Sequence, residues 1–132
     1  MTTKAEFADI PGTTVFDADL SRKGYHLNMF FMSLMKDENR KAFKADEKAY
    51  LSHWPMSADQ RDAVLARDWI RLLDLGGNIF FMIKLSFCDG LSVQQVAGAM
   101  TGMTAEEYSQ MLLNGGRPIE GNRSKSEWTN RG

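Results

Sequence analysis

The stretch LARDWIRLLDLGGNIFFMIKL, residues 65–85, decides the reading of the fold. Val64, Leu65, Trp69, Leu72 and Leu73 recur at spacings near three and four. That places them on one helix face, with Arg61, Arg67, Asp68, Arg71 and Asp74 ringing the other. Gly76 and Gly77 supply the left-handed cap conformation that side-chain-bearing residues resist, so a helix is expected to stop there. From Ile79 to Leu85 every residue but Lys84 is apolar. No solvent face can be drawn on such a segment, which is expected in the middle of a core or under a partner. A short apolar run fits a buried strand as well as a buried helix. Helix is favoured for Ile79 to Cys88, because Met, Leu and Lys are good helix formers and few alternating segments elsewhere offer strands to pair with it.

Upstream, Met1 to Leu20 shows no helical period and Pro11-Gly12 marks a turn, so an extended arm is expected over 1–20. From Ser21 the pattern changes. Tyr25, Leu27, Met29, Phe30, Phe31, Met32, Leu34 and Met35 make a helix apolar nearly all round, interrupted chiefly by Asn28 and Ser33, and such a helix is covered on more than one side. Its methionines read as flexible fillers of an irregular core rather than as a cofactor box. Lys36 to Lys48 carries both signs of charge, with Asp37/Lys41 and Lys44/Glu47 at helical neighbour spacing, and reads as a solvated face. Trp54 precedes Pro55, which ends that element near His53.

Downstream, helix starts are signposted by chemistry. Ser57 with Gln60, Ser92 with Gln95 and Thr104 with Glu107 have the capping-box spacing, in which each side chain satisfies the other residue's orphan backbone N–H. Helices are therefore expected from Ala58, Val93 and Ala105, with turns at Asp89-Gly90 and Gly115-Gly116. Beyond Asn114 the chain is polar and glycine-rich, an irregular tail over 117–132. The expectation is an all-α fold: one compact helical domain over 21–116 with five to seven helices, an N-terminal arm and a C-terminal tail.

Composition narrows the function. A chain of 132 residues can bury a core without disulfides or metal, and its one cysteine, Cys88, lies in an apolar run. That suits a small buried hydrophobe in a reducing, cytoplasmic setting. No signal-peptide pattern opens the chain and no apolar run nears the ~18 residues of a membrane span, so membrane is excluded as a partner. A net charge of −1 gives no reason to approach nucleic acid. Leu91 to Leu113 has the outline of a helix-turn-helix, but its second helix offers Glu106, Glu107, Ser109 and Gln110 where a duplex demands cations. His26 and His53 fall in different elements without metal-ligand spacing, no G-x-S-x-G context frames a nucleophile, and both Gly-Gly pairs follow helices where a phosphate cradle must precede one. No catalytic residue is expected in the chain.

The sequence does resemble a known family. DIPGTTVFD at 9–17, RKGYHLN at 22–28, SLMKDENR at 33–40, FKADEKAYL at 43–51, AVLARD at 63–68, GGNIFF at 76–81 and AGAMTGMTAEEYSQM at 97–111 are similar to the alpha (small) subunit of protocatechuate 4,5-dioxygenase, an extradiol ring-cleaving enzyme of lignin-derived aromatic catabolism. The resemblance implies a mostly helical, non-catalytic subunit that pairs with a larger beta subunit, as an alpha-beta heterodimer or alpha2-beta2. The beta chain of that family holds Fe(II) with two histidines and a glutamate, and the alpha chain caps the active-site mouth over the aromatic substrate. In this chain it implies that the turn Asp89, Gly90, Leu91, Ser92 and Val93 is the lid of the substrate pocket, and that Met100, Thr101, Gly102, Met103 and Tyr108 form an interface motif. Relatives often carry an aromatic residue at the position of Val93 and a lysine at that of Leu91. Val93 removes ring volume, which implies a roomier mouth for a substituted ring such as gallate or a methoxylated analogue. The competing expectations are that Val93 simply packs under its helix, and that the chain is a stand-alone helical binding or regulatory module.

Overall fold

Each expected helix start is built by the side chain named for it. Ser57, Ser92 and Thr104 accept from the backbone N–H groups of Gln60, Gln95 and Glu107, and each partner side chain reaches back to the cap N–H. A computed structural model describes residues 14–117, and these contain nine α-helices and no strand. In order they are α1 Ala18–Lys23, α2 Tyr25–Ser33, α3 Asp37–Ala45, α4 Glu47–Ser52, α5 Ala58–Ala66, α6 Trp69–Asp74, α7 Ile79–Cys88, α8 Val93–Thr101 and α9 Ala105–Leu113. Ile79 to Cys88 is helical, as its composition favoured. None of the described helices is long and apolar enough to cross a membrane. The arm before residue 14 and the tail after 117 lie outside the described residues.

The all-α expectation holds, and the larger number of helices has local causes. The N-terminal helix begins at Ala18, inside the span expected to be extended, because Asp17 caps it by accepting from the Leu20 N–H at 2.9 Å. It breaks at Gly24. Asp46 divides the charged segment by ending α3 and capping α4 through the Ala49 N–H at 3.1 Å. The helix drawn through Val64 to Leu73 is two helices, because Arg67 sits in the left-handed region at φ 53° and ends α5. Asp68 restarts the chain as the cap of α6.

The core forms where α2 lies along α7, with α3, α4 and α5 closing over it. Phe30 is fully buried and meets Phe31, Phe43, Tyr50 and Trp54 at ring-centroid distances of 5.2–6.4 Å in tilted or edge-on geometry. Leu27, Leu34, Leu51, Val64, Leu72, Met82 and Leu85 fill the rest. Helix α2 is covered on more than one side, as its composition implied: Leu27, Asn28, Phe30 and Phe31 are buried among α7, the aromatic cluster and the Gly76 corner, and Tyr25, His26 and Met29 leave one exposed strip. Helix α7, by contrast, is covered on one side. Met82 and Leu85 are buried while Phe80 is 74% and Phe87 54% exposed.

The glycine corner between α6 and α7 holds α1, α2, α5 and α7 in register. Only Gly76 of the pair has positive φ, at 102°. Its backbone lies directly against Gly24, so closely that a Cβ on Gly24 would stand 1.9 Å from the Gly76 carbonyl oxygen. Two buried amides fasten this contact. Asn28 donates to the Gly76 carbonyl at 2.9 Å and accepts from the Asn78 N–H at 2.8 Å. Gln60, besides its part in the α5 cap, donates to the carbonyls of Lys23 at 3.0 Å and Leu75 at 2.9 Å. Asn28, which interrupts an apolar helix in the sequence, is thus a clamp.

Candidate functional site

The α7–α8 turn follows directly from the apolar helix. Gly90 takes φ 71°, the Leu91 N–H returns to the Ser86 carbonyl at 3.0 Å, and Ser92 is committed to capping α8. Of the five residues implied as a lid, Asp89 and Leu91 turn inward. Leu91 packs against the core, and Asp89 enters an ion-pair network. Val93, first residue of α8, is 50% exposed, so it does not pack under its helix.

Asp89 is held by Arg67 and Lys44. Arg67 Nε and Nη2 donate to the two Asp89 carboxylate oxygens at 2.6 and 3.0 Å, while Nη1 and Nη2 donate to the Glu47 carboxylate at 3.0 and 2.8 Å. The same guanidinium donates to the Val64 carbonyl at 2.6 Å and lies 5.5 Å from the Phe43 ring centroid. Lys44 adds a bond to Asp89 at 2.9 Å and one to Glu47 at 3.4 Å. The segment read as a solvated face therefore sends Lys44 and Glu47 into a network that joins α3, α4 and the end of α5 to the turn. Sequence spacing marked only its Lys44/Glu47 pair: the other pairs are 20, 22 and 45 residues apart, and a left-handed arginine follows from no local rule.

The electrostatics follow from partial burial. Burial pushes the Asp89 carboxyl up, but the hydrogen bonds from Arg67 and Lys44 outweigh it and hold the group below the usual carboxylate range. Burial pulls the Arg67 guanidinium down, and its bonds to Asp89 and Glu47 more than reverse that. The bond to Asp89 raises Lys44. Burial raises the thiol of Cys88, the residue before Asp89, as expected of a small hydrophobe. A carboxyl depressed on folding contributes stability that is fully present above its unfolded value, about 3.9, and lost as pH falls through the folded value. Stability should therefore be flat from neutral pH down to about pH 5 and fall below about pH 4. Asp89→Asn should shallow that acid limb, read as denaturation midpoints against pH.

At the other end of α8 lies a cleft of about 710 Å³, bounded by Ile70, Leu73 and Asp74 of α6, by Ala97, Met100 and Thr101 of α8 and by Tyr108 of α9, with Thr14 and Arg117 completing it. Three of the five motif residues, Met100, Thr101 and Tyr108, meet here. Gly102 is instead the left-handed cap of α8 at φ 74°, and the Met103 N–H donates to the Gly98 carbonyl at 2.7 Å to close the turn into α9. Val93, Ala97 and Met100 stand at i, i+4 and i+7, so one face of α8 leads from the turn to the cleft over about 10 Å. His26 and His53 are both exposed, on different elements. Among the described residues no three His, Cys, Asp or Glu side chains gather as a metal-ligand set.

Residues 27–113, from the first turn of α2 to the end of α9, match the family described as aromatic-ring-opening dioxygenase LigAB, LigA subunit. The chain is also similar to a gallate dioxygenase of Pseudomonas putida strain KT2440, 28% identical over 99 residues, which is 75% of this chain and 29% of that protein. It thus spans less than a third of that relative's length.

Proposed function

The chain belongs to the LigA-subunit family of aromatic-ring-opening dioxygenases, and from that premise we propose that it is the small subunit of a heteromeric extradiol dioxygenase acting on protocatechuate or a gallate-type ring. The described residues offer no donor set for the ferrous ion that such chemistry uses. The ion and its ligands are assigned to the catalytic partner subunit, and no step of ring cleavage is routed through this chain. Its own contribution is a cap. The α7–α8 turn closes over the partner's substrate mouth, excluding water so that the partner's charges and hydrogen bonds act on the bound ring in a less polarizable medium.

The observation that carries this reading is the construction of the turn. Asp89 is locked into the Arg67 network while Val93 next to it is left open. A cap needs that combination: a fixed backbone and an uncommitted apolar side chain at its tip. The resemblance implies an aromatic residue at this position in relatives, and the reading gives the smaller Val93 a role in substrate choice by leaving room for a ring substituent. The similarity to a gallate dioxygenase supports a ring bearing an extra hydroxyl.

Co-expression with a catalytic subunit of the family tests the assignment, the expected result being a co-purifying, iron-containing complex that opens the ring. A chain that stays alone would instead be an independent helical module, with the cleft beside Tyr108 as its ligand site. Within the complex, Val93→Phe should lower the rate on gallate relative to protocatechuate about tenfold or more, tenfold being the low end of what one methylene of pocket volume is worth. An unchanged ratio in competition assays would place the turn away from the mouth.

A further inference from the structure

We infer that the outer face of α7 is the surface by which this chain docks on the catalytic subunit, and that the partner meets it with an apolar groove carrying a carboxylate opposite Lys84. The inference rests on the proposed function and adds to it where the two chains touch.

Single exposed apolar side chains are ordinary, but a contiguous stripe is not. Phe80 and Phe87 are two turns apart on the same side of α7, with Ile83 and Lys84 between them. Phe87 and Lys84 also line a groove of about 220 Å³ with Met35, itself exposed, and Arg40. Aromatic residues and Met are the types enriched where protein surfaces meet.

Charge argues for the kind of occupant. Lys84 is the only charged residue of α7 and makes no ion pair among the described residues, whereas Arg40 across the groove is already paired with Asp37. In a two-fold contact of α7 with a second copy, Lys84 would sit near the axis, midway between the two phenylalanines, and face its own like charge. A partner with a carboxylate there removes the conflict. Size and continuity agree. The matched segment is under a third of the gallate dioxygenase relative, so a helical domain of this kind sits in that protein beside a much larger remainder. Phe87 precedes Asp89 by two residues, so seating this face on the partner carries the turn and Val93 onto the same partner.

The test is the affinity of the full chain for the co-expressed catalytic subunit. Phe80→Ser/Phe87→Ser should weaken it about 100-fold. Lys84→Glu should weaken it about tenfold and remove the loss of affinity that salt causes in the parent complex. Both variants should melt within a few degrees of the parent, since the altered side chains are surface groups. Lys84→Glu, which removes no apolar contact, decides the matter if the double variant does not fold. If the parent complex forms and neither variant weakens it, docking lies elsewhere and the inference fails while the subunit assignment stands. If no complex forms with the parent chain, the assignment fails and the inference with it. Self-association of the parent chain that the variants abolish would make a second copy the occupant and overturn the inference too.

Discussion

Gly24→Ala is expected to unfold the domain at physiological temperature or to lower its melting temperature by about 10 °C or more. The added Cβ would stand 1.9 Å from the Gly76 carbonyl oxygen and 2.4 Å from its carbon, and both are backbone atoms that no rotamer change can move aside. Relief requires separating the α1–α2 break from the corner between α6 and α7. That breaks the Asn28 bonds to Gly76 and Asn78 and the Gln60 bonds to Lys23 and Leu75. Asn28 is 7% and Gln60 5% exposed, so water does not readily replace what is lost. Steric cost and stranded amides together reach roughly 3 kcal/mol or more, a large share of the 5–15 kcal/mol that holds a typical domain. Gly76→Ala should be as damaging, because a Cβ there meets the Gly24 nitrogen at 2.5 Å and the backbone sits at positive φ. Thermal denaturation by circular dichroism decides it. A Gly24→Ala protein that melts within two degrees of the parent would show that the two segments can part without loss.

Arg67→Ala should cost about 2–3 kcal/mol, because it leaves two half-buried carboxylates with only the Lys44 ammonium to answer them and removes the bond to the Val64 carbonyl. The figure lies below that of a fully buried pair, since Asp89 and Glu47 keep some contact with water. Arg67→Gly separates the network from the backbone. Glycine relieves the left-handed strain, about 1 kcal/mol, so it should be milder than alanine yet still destabilising. Were strain the larger effect, Arg67→Gly would stabilise the chain. Lysine cannot reproduce the paired bonds to both carboxylates and should recover only part of the loss. In the assembled dioxygenase the freed turn should lower turnover about tenfold on the proposed role, since small misplacements of a capping element are costly. Urea denaturation of the chain and steady-state rates of the complex read the two effects separately.

The features legible in the sequence were those whose physics is local. A capping box is complete within four residues, so the starts of α5, α8 and α9 fall where Ser57, Ser92 and Thr104 placed them, and Pro55 ends α4 at His53. The breaks at Gly24 and Arg67 were hidden because their reasons lie far away in the chain, in a glycine 52 residues on and in carboxylates 20 and 22 residues distant. For the same reason, periodicity alone could not tell which side of α7 faces the core; the bulk of α2 against Met82 and Leu85 does. Of the five residues the resemblance implied as an interface motif, the fold brings Met100, Thr101 and Tyr108 to one cleft. The network that fixes the turn came only from three-dimensional proximity.

The two fastenings of this molecule differ in one further respect. The corner at Gly76 is held by neutral amides, whereas the turn at Asp89 is held by charges that acid can discharge. Acid strong enough to protonate Asp89, below about pH 4, should then release the α7–α8 turn while the helices behind it stay closed, a local opening below the energy of global unfolding. Seen this way, the chain is graded: a pH-indifferent frame carrying a tip whose stiffness depends on ionisation.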